Sequence, residues 1–263
     1  MNKPHKARKR FGQNFLQDSR IIHQIIMAIN PSEQDHLVEI GPGQGAITEP
    51  LLDSKCQLDV VELDRDLVSQ LDRRFGSIAR FTLHSADALA FNFSDLSHGE
   101  KLRIVGNLPY NISTPLLFHL MEQAHQIQDM YFMLQKEIVN RLQARPGSKQ
   151  FGRLSIMIQL HCDVDALFDV DPECFHPQPK VMSSIVRLTP HRQQKYHINN
   201  KPFFESLVKA AFGQRRKTIR NTLKEFCQDD MLEAAGISPS QRAENIDIEQ
   251  FVTLSNLLSP STP

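Results

Sequence analysis

The residues of this chain best suited to chemistry are five in a row, Gly106-Asn107-Leu108-Pro109-Tyr110. Asn107 offers an amide with two donor hydrogens and an acceptor oxygen. Pro109 has a locked φ, lacks an N–H and biases Leu108 towards an extended backbone, so nearby carbonyls can face outwards instead of entering a helix. Tyr110 supplies a flat ring. An acceptor amide, an outward carbonyl and a stacking ring at the end of a strand suit a planar ring bearing an amine, such as a flipped adenine. The same residues also suit a plain strand-to-loop turn with a packed tyrosine.

A second group lies upstream. Gly41-Pro42-Gly43-Gln44-Gly45 has the spacing Gly-x-Gly-x-Gly, not the dinucleotide Gly-x-Gly-x-x-Gly, and Pro42 removes a backbone donor. Both features fit a pyrophosphate cradle poorly and favour a ligand without phosphates, touched by carbonyls and glycine Cα atoms. Glu62 stands 21 positions beyond Gly41. A carboxylate about that far from a glycine turn is placed to accept hydrogen bonds from both ribose hydroxyls. Asp87 is expected at the same edge, where it can accept from a purine amine or cap a helix.

The elements that must position these residues can be read from apolar runs and turns. Leu37 to Ile40 reads as a strand running into the glycine turn, and Leu58 to Leu63 as the strand carrying Glu62. Phe81 to His84 leads to Asp87, and Leu102 to Val105 to Asn107. Asp129 to Leu134 is a fifth strand; Ala166 to Val170 and Ser183 to Leu188 suggest an antiparallel edge hairpin around the stiff loop Phe175 to Lys180. Helices are expected over Ile21 to Ile29, Ala46 to Leu52, Leu67 to Phe75, the segment around Leu116 to Met121, and Lys136 to Pro146. Leu154 to His161 leans to helix. After a polar linker at Pro190 to Lys201 the pattern is helical, over Phe203 to Phe212, Thr218 to Phe226, and a last helix opened by Asp247 and Gln250.

Composition bounds the partners. Lys plus Arg equals Asp plus Glu, 30 each, so only local charge is informative. Lys3, Lys6, Arg8, Lys9 and Arg10 form an acid-free start; Arg215, Arg216, Lys217, Arg220 and Lys224 form a second run. With the loop Arg145 to Lys149 these are candidate phosphate contacts, although solvated surface is the commoner fate of such runs. Cys56, Cys162, Cys174 and Cys227 form no Cys-x-x-Cys pair, which argues against a zinc site and a disulfide scaffold and for reduced thiols in a cytoplasmic setting. No metal is expected. No apolar run approaches a membrane span, and no apolar h-region follows the basic start.

Taken in order, the motifs are Asn14-Phe15-Leu16, Glu39-x-Gly41-x-Gly43-x-Gly45, Glu62, Asp87, Asn107-Leu108-Pro109-Tyr110, Phe175-x-Pro177-x-Pro179-Lys180-Val181 and Ala211-Phe212-x-x-Arg215-Arg216-Lys217. This series resembles the ribosomal RNA adenine dimethyltransferases over nearly the whole chain, and within them the bacterial small-subunit branch, whose loss gives kasugamycin resistance. The resemblance implies an α/β fold: a class I, Rossmann-like methyltransferase domain with a seven-stranded, mostly parallel sheet over residues 1–190, including the basic N-terminal extension, and a small all-helical domain for RNA and subunit recognition over residues 191–263. It implies dimethylation of two adjacent adenines in the 3′-terminal hairpin of 16S ribosomal RNA, with S-adenosylmethionine as donor, coupled to late small-subunit assembly.

By matching position, the resemblance places Asn14 and Leu16 over the cofactor, Gly41 against it, Glu62 on its ribose, Asp87 on its adenine, and Asn107 between cofactor and target. Asn107, Leu108, Pro109 and Tyr110 form the catalytic segment. Arg145, Lys149, Arg215, Arg216, Lys217 and Arg220 are expected to meet RNA. The expected partner is the small ribosomal subunit or its precursor, bound by a cytoplasmic monomer with no membrane association. The alternatives are a large-subunit relative conferring macrolide resistance and a DNA adenine methyltransferase, both disfavoured by the C-terminal motif Ala211 to Lys217, a subunit-binding assembly factor, and a glutamine or small-molecule methyltransferase. Leu108 disfavours the last, which often carries Asn-Pro-Pro-Tyr.

Overall fold

A computed structural model describes residue 8 and residues 13–259. Lys3, Lys6, Lys9 and Arg10 of the basic start lie outside the described residues. In chain order the elements are β1 (Phe15–Leu16), α1 (Ser19–Ile29), β2 (His36–Ile40), α2 (Thr48–Asp53), β3 (Gln57–Glu62), α3 (Arg65–Phe75), β4 (Phe81–Ser85), β5 (Leu102–Asn107), α4 (Ser113–Glu122), β6 (Ile127–Gln135) and α5 (Lys136–Leu142). They continue with α6 (Arg153–Gln159), β7 (Cys162–Val170), β8 (Phe175–His176), β9 (Ser183–Pro190), α7 (Lys201–Ala211), α8 (Ile219–Thr222), α9 (Asp229–Ala234) and α10 (Ile248–Leu258).

Seven strands form one sheet in the order β4-β3-β2-β5-β6-β9-β7. The pairs β2–β3, β3–β4, β2–β5 and β5–β6 are parallel; β9 runs antiparallel to β6, and β7 lies outermost. The mostly parallel seven-stranded sheet follows the expectation. Strand β2 is buried along its whole length, as a central strand covered on both faces must be. A core cluster joins Ile25 and Ile29 of α1 to Leu37, Leu58, Val60 and Val105 on the strands. Each such fully buried aliphatic side chain contributes about 2 kcal/mol.

Local signals explain the helix boundaries. Asp18 caps α1 by accepting from the backbone N–H of Arg20 and Ile21, and Asn30 ends it in the left-handed region at φ 47°. Asp64 caps α3 through the N–H of Asp66. Asp247 and Gln250 form the reciprocal capping box that opens α10.

The chain divides into two compact units, residues 1–139 with 164–190, and residues 140–163 with 191–263. The linear division at 190/191 is one of the three crossing points; the second unit also takes an excursion from the middle of the chain, which a linear reading does not contain. The reason lies in its own contacts. Ser155 Oγ donates to the Arg141 carbonyl at 2.6 Å, Gly147 N–H to the Glu244 carbonyl at 2.7 Å, and the Phe151 ring meets Phe212 edge-on at 6.3 Å. The helix expected over Thr218 to Phe226 is shorter, only the four residues of α8, and the short α9 follows it.

Candidate active site

Strand order reverses between β2 and β5, because β2 has β3 on one side and β5 on the other. At such a switch point the loops after adjacent strands diverge and leave a crevice at their carboxyl ends. Two glycines shape it. Gly41 has φ +66° and donates its N–H to the Val61 carbonyl at 3.0 Å, so the chain leaves β2 in a conformation that disfavours a side chain. Gly106 pairs with Ile40, and a Cβ there would stand 2.6 Å from the Ile40 carbonyl oxygen. The crevice is a cavity of about 340 Å³.

Every cofactor and catalytic residue read from the sequence lines this cavity. Asn14 and Leu16 come from the N-terminal segment, Gly41 from the turn after β2, Glu62 from the end of β3, and Asp87 from just after β4. Asn107, Leu108, Pro109 and Tyr110 come from the end of β5 and the loop beyond it. The N-terminal segment reaches the cavity because β1 pairs antiparallel with β8, Phe15 opposite His176 and Leu16 opposite Phe175.

Three carboxylates line the cavity, and no Lys, Arg or His does among the described residues. Glu39 is 2% exposed and accepts from Thr48 Oγ1 at 2.6 Å; burial pushes its carboxyl up to about 7. Glu62 is buried too, and its Oε1 accepts from the Asp64 N–H at 2.8 Å; desolvation again raises its pKa. Asp87 is exposed at the rim, where its Oδ1 accepts from the Leu89 N–H at 3.0 Å in a local turn. Acidic walls without a compensating cation attract positive charge and repel phosphate. Pro42, without an N–H, agrees with this electrostatic reading.

On the same lining, Asn107 Nδ2 donates to the Asn14 carbonyl at 3.1 Å. This bond decides which end of the amide faces which way, because only the nitrogen end can meet a carbonyl. The acceptor end, Oδ1, takes no donor among the described residues. The loop carbonyls divide in the same manner. Pro109 O accepts from the Ile112 N–H and Tyr110 O from Ser113 Oγ, whereas Leu108 O is taken by no donor among the described residues. The site therefore presents two adjacent acceptors and a half-buried tyrosine ring, whose hydroxyl lies 2.9 Å from Ser183 Oγ.

Other contributors escape the sequence reading. Gln13 lines the cavity and its Nε2 donates to buried Asp64 at 3.1 Å; Arg8 pairs with the same carboxylate at 2.9 Å. Only the tertiary path of the N-terminal segment reveals this. Glu39 belongs to the glycine motif, yet its burial, not its spacing, marks it as part of the wall.

The expected RNA-contacting residues all fall in the second unit. Arg215 donates to the Lys149 carbonyl and lies 3.5 Å from Glu244, which brings the 145–149 loop and the start of the second basic run together. Arg220 is held by Asp229 at 2.6 Å. Arg216 and Lys217 are exposed and make no ion pair among the described residues. Among the described residues no cluster of three or more His, Cys, Asp or Glu is placed to hold a metal ion, and no helix is long and apolar enough to cross a membrane.

Comparison with known proteins agrees over nearly the whole chain. The model of the ribosomal RNA adenine dimethylase family matches residues 4–259. The ribosomal RNA small subunit methyltransferase A of Pseudomonas aeruginosa is 56% identical over 256 residues, 97% of this chain and 96% of the relative. That of Hydrogenovibrio crunogenus is 54% identical over 257 residues, 96% of this chain and 97% of the relative. Among solved structures, a dimethyladenosine transferase from Plasmodium falciparum superposes with a TM-score of 0.78 at 26% identity, covering 91% of this chain and 95% of its own. The 23S rRNA methyltransferase ErmE gives 0.72 at 25% identity, over 93% and 99%. A glycine turn, a buried acidic wall and an oriented Asn107 amide on a mostly parallel seven-stranded sheet, with this likeness end to end, place the chain in the ribosomal RNA adenine dimethylase family.

Proposed function

We propose that the protein transfers methyl groups from S-adenosylmethionine to the exocyclic amines of two adjacent adenines in the 3′-terminal hairpin of 16S ribosomal RNA. The observation that carries the reading is the pairing of an acidic, cation-free cavity with an adjoining acceptor pair at Asn107 and Leu108. The cavity fits the cofactor's chemistry: a sulfonium and an ammonium need negative walls, a ribose needs acceptors, and no phosphate needs a cradle. Glu62 would hold the ribose hydroxyls, Asp87 the adenine amine, and Gly41, Asn14 and Leu16 would enclose the ligand. When bound, the cofactor supplies an electrophilic methyl group.

The chain's own residues must then make the adenine amine a nucleophile. Its lone pair is delocalised into the ring. Hydrogen bonds accepted by Asn107 Oδ1 and Leu108 O favour a pyramidal nitrogen and free that lone pair. Tyr110 provides the stacking face for the base. The two buried carboxylates already accept, Glu39 from Thr48 Oγ1 and Glu62 from the Asp64 N–H, so positioning and fixed dipoles supply the catalysis. Arg216, Lys217 and the 145–149 loop are suited to phosphate contacts that deliver the RNA, and action late in small-subunit assembly follows if an assembled surface is read.

The test incubates labelled S-adenosylmethionine with unmethylated small ribosomal subunits and, in parallel, with naked RNA, followed by nuclease digestion and mass spectrometry. Dimethyladenosine from subunits but not naked RNA supports both the chemistry and recognition of an assembled surface. Label on naked RNA alone points to the specificity of a large-subunit enzyme. No label on either, with cofactor still bound, overturns the enzymatic reading in favour of a binding factor or another amine.

A further inference from the structure

We propose that Ser183 is a positioning residue for the target base, acting through the hydroxyl of Tyr110. The inference rests on the function proposed above, in which the Tyr110 ring receives the adenine. Tyr110 OH and Ser183 Oγ lie 2.9 Å apart, joining positions separated by 73 residues. Ser183 opens β9, pairs with Gln135 at the carboxyl end of β6, and is fully buried.

Two serines in succession are unusual at the start of a strand whose next buried residues are Ile185 and Val186. Each has a separate use. Successive side chains of a strand point to opposite faces. Ser184 Oγ donates to Asp169 at 2.5 Å, an acceptor also held by Lys136 at 2.5 Å. Ser183 meets Tyr110. Buried hydroxyls need partners, so a serine at 183 needs this one. The phenol, half-buried, has its far end fixed at the wall while its ring lines the cavity.

A ring free at its tip retains torsional play about χ1 and χ2. A ring tethered at its hydroxyl has one orientation, and its face is set before the base arrives. Asn107, three residues earlier, is fixed in the same way by Asn14. Both parts of the acceptor site are thus held by bonds from distant segments, one for the amide and one for the ring. Preorganisation of this kind appears in base affinity and in the productive fraction of bound base, not in cofactor binding.

The experiment compares wild type, Ser183→Ala, Tyr110→Phe, the double variant and Ser183→Thr in the full-length protein. Three quantities are read: the cofactor Kd by calorimetry, kcat and KM on unmethylated small subunits, and fluorescence quenching of 2-aminopurine placed at the target adenine. Both single variants are expected to bind cofactor as wild type does. Each should lose about three- to tenfold in kcat/KM, the worth of one hydrogen bond, and quench 2-aminopurine less. The double variant should be no worse than the worse single, and Ser183→Thr, which restores a hydroxyl, should recover most of the loss. Wild-type kcat/KM and quenching in Ser183→Ala would overturn the proposal, as would additive losses in the double variant. An inactive wild type would instead count against the proposed function, which separates the two failures.

Discussion

Asn107 and Asn14, 93 residues apart, are joined by a hydrogen bond of 3.1 Å from the side-chain nitrogen of one to the main-chain oxygen of the other. The bond ties the N-terminal segment to the end of β5 and fixes the polarity of the amide proposed to hold the target amine. It makes the donor half of Asn107 structural and leaves the acceptor half for chemistry. Asn107→Ala removes both. The expected outcome is a fall in kcat of about 10²- to 10³-fold, the range for loss of one oriented polar group at a reacting centre, with a cofactor Kd within a few-fold of wild type. Single-turnover kinetics and calorimetry on the same preparation check this; wild-type turnover in the variant contradicts the assignment. Asn107→Asp is the sharper variant, since it keeps the acceptor but sets a carboxylate against the Asn14 carbonyl.

Glu62 is the proposed cofactor contact whose loss is cleanest to read. Glu62→Gln can retain an acceptor for the Asp64 N–H, while it removes the charge and turns the second carboxylate oxygen into a donor. A hydrogen bond to an ionised acceptor carries about 1.5 to 3 kcal/mol, so S-adenosylmethionine should bind at least about tenfold more weakly while kcat at saturating cofactor changes little. Titration calorimetry decides; an unchanged Kd would remove Glu62 from the binding set. The wild-type protein should also bind this cation more weakly as pH falls, because protonation of Glu62 and Glu39 discharges the wall.

Glu39 yields a prediction about stability. Burial holds its carboxyl at about 7 in the folded chain against an ordinary value of 4.5. Below the unfolded value both states carry the proton and no penalty exists. As pH rises through the interval, the unfolded chain ionises Glu39 first, so the folded state loses stability, and above the folded value the loss is complete. A shift of this size amounts to about 3 kcal/mol. Glu39→Gln keeps an acceptor for Thr48 and has no charge to bury. Urea denaturation across this pH range should show the variant gaining on wild type by about that amount as pH rises. Parallel curves would mean that Glu39 ionises without penalty.

What the sequence makes legible here is what lies close in the chain. A strand, a glycine turn and a carboxylate at the next strand's end are local, so Gly41, Glu62 and Asp87 can be placed on one edge from spacing alone. Asn107 follows from the unusual chemistry of its own five residues. By contrast, Ser183 looks like an ordinary strand residue until β9 is known to lie beside β6. Gln13 and Asp64 belong together only because β1 pairs with β8, which sets the path of the N-terminal segment. The excursion of residues 140–163 into the second unit is hidden for the same reason: the apolar run from Leu154 to His161 leans to helix but does not say which core it joins. Arg215, Arg216, Lys217 and Arg220 read as one basic run, although acidic residues outside the run, Glu244 and Asp229, hold Arg215 and Arg220.

A buried ion network anchors the strand that carries Asn107. Arg103 on β5 is 6% exposed, forks onto Asp129 at 2.9 and 3.0 Å, and reaches Asp35 at 2.9 Å and the Ile29 carbonyl at 2.7 Å. Burial opposes its charge, and the two aspartates more than offset this, so its pKa is raised further. Asp129→Ala removes the forked carboxylate and leaves the buried guanidinium to Asp35, and should cost about 3 kcal/mol of folding stability. Chemical denaturation measures it. A loss below about 1 kcal/mol, as for an exposed pair, would show that water reaches Arg103.

The second basic run divides by its pairing. Arg216 and Lys217 are exposed with no ion pair among the described residues, whereas Arg220 is committed to Asp229 at 2.6 Å. If the run holds RNA phosphates, Arg216→Glu with Lys217→Glu should weaken RNA binding at every sequence tested and flatten the salt dependence by about two phosphate contacts, a slope change near 2. Arg220→Glu should change that slope little, because its charge is already neutralised in place, and should instead lower stability by at most about 1 kcal/mol, the worth of an exposed pair. Filter binding of a small-subunit RNA hairpin across a salt series, with cofactor affinity as a control for folding, distinguishes the two. An unchanged slope in the double variant would assign the run to the solvated surface and move the RNA contact to another face.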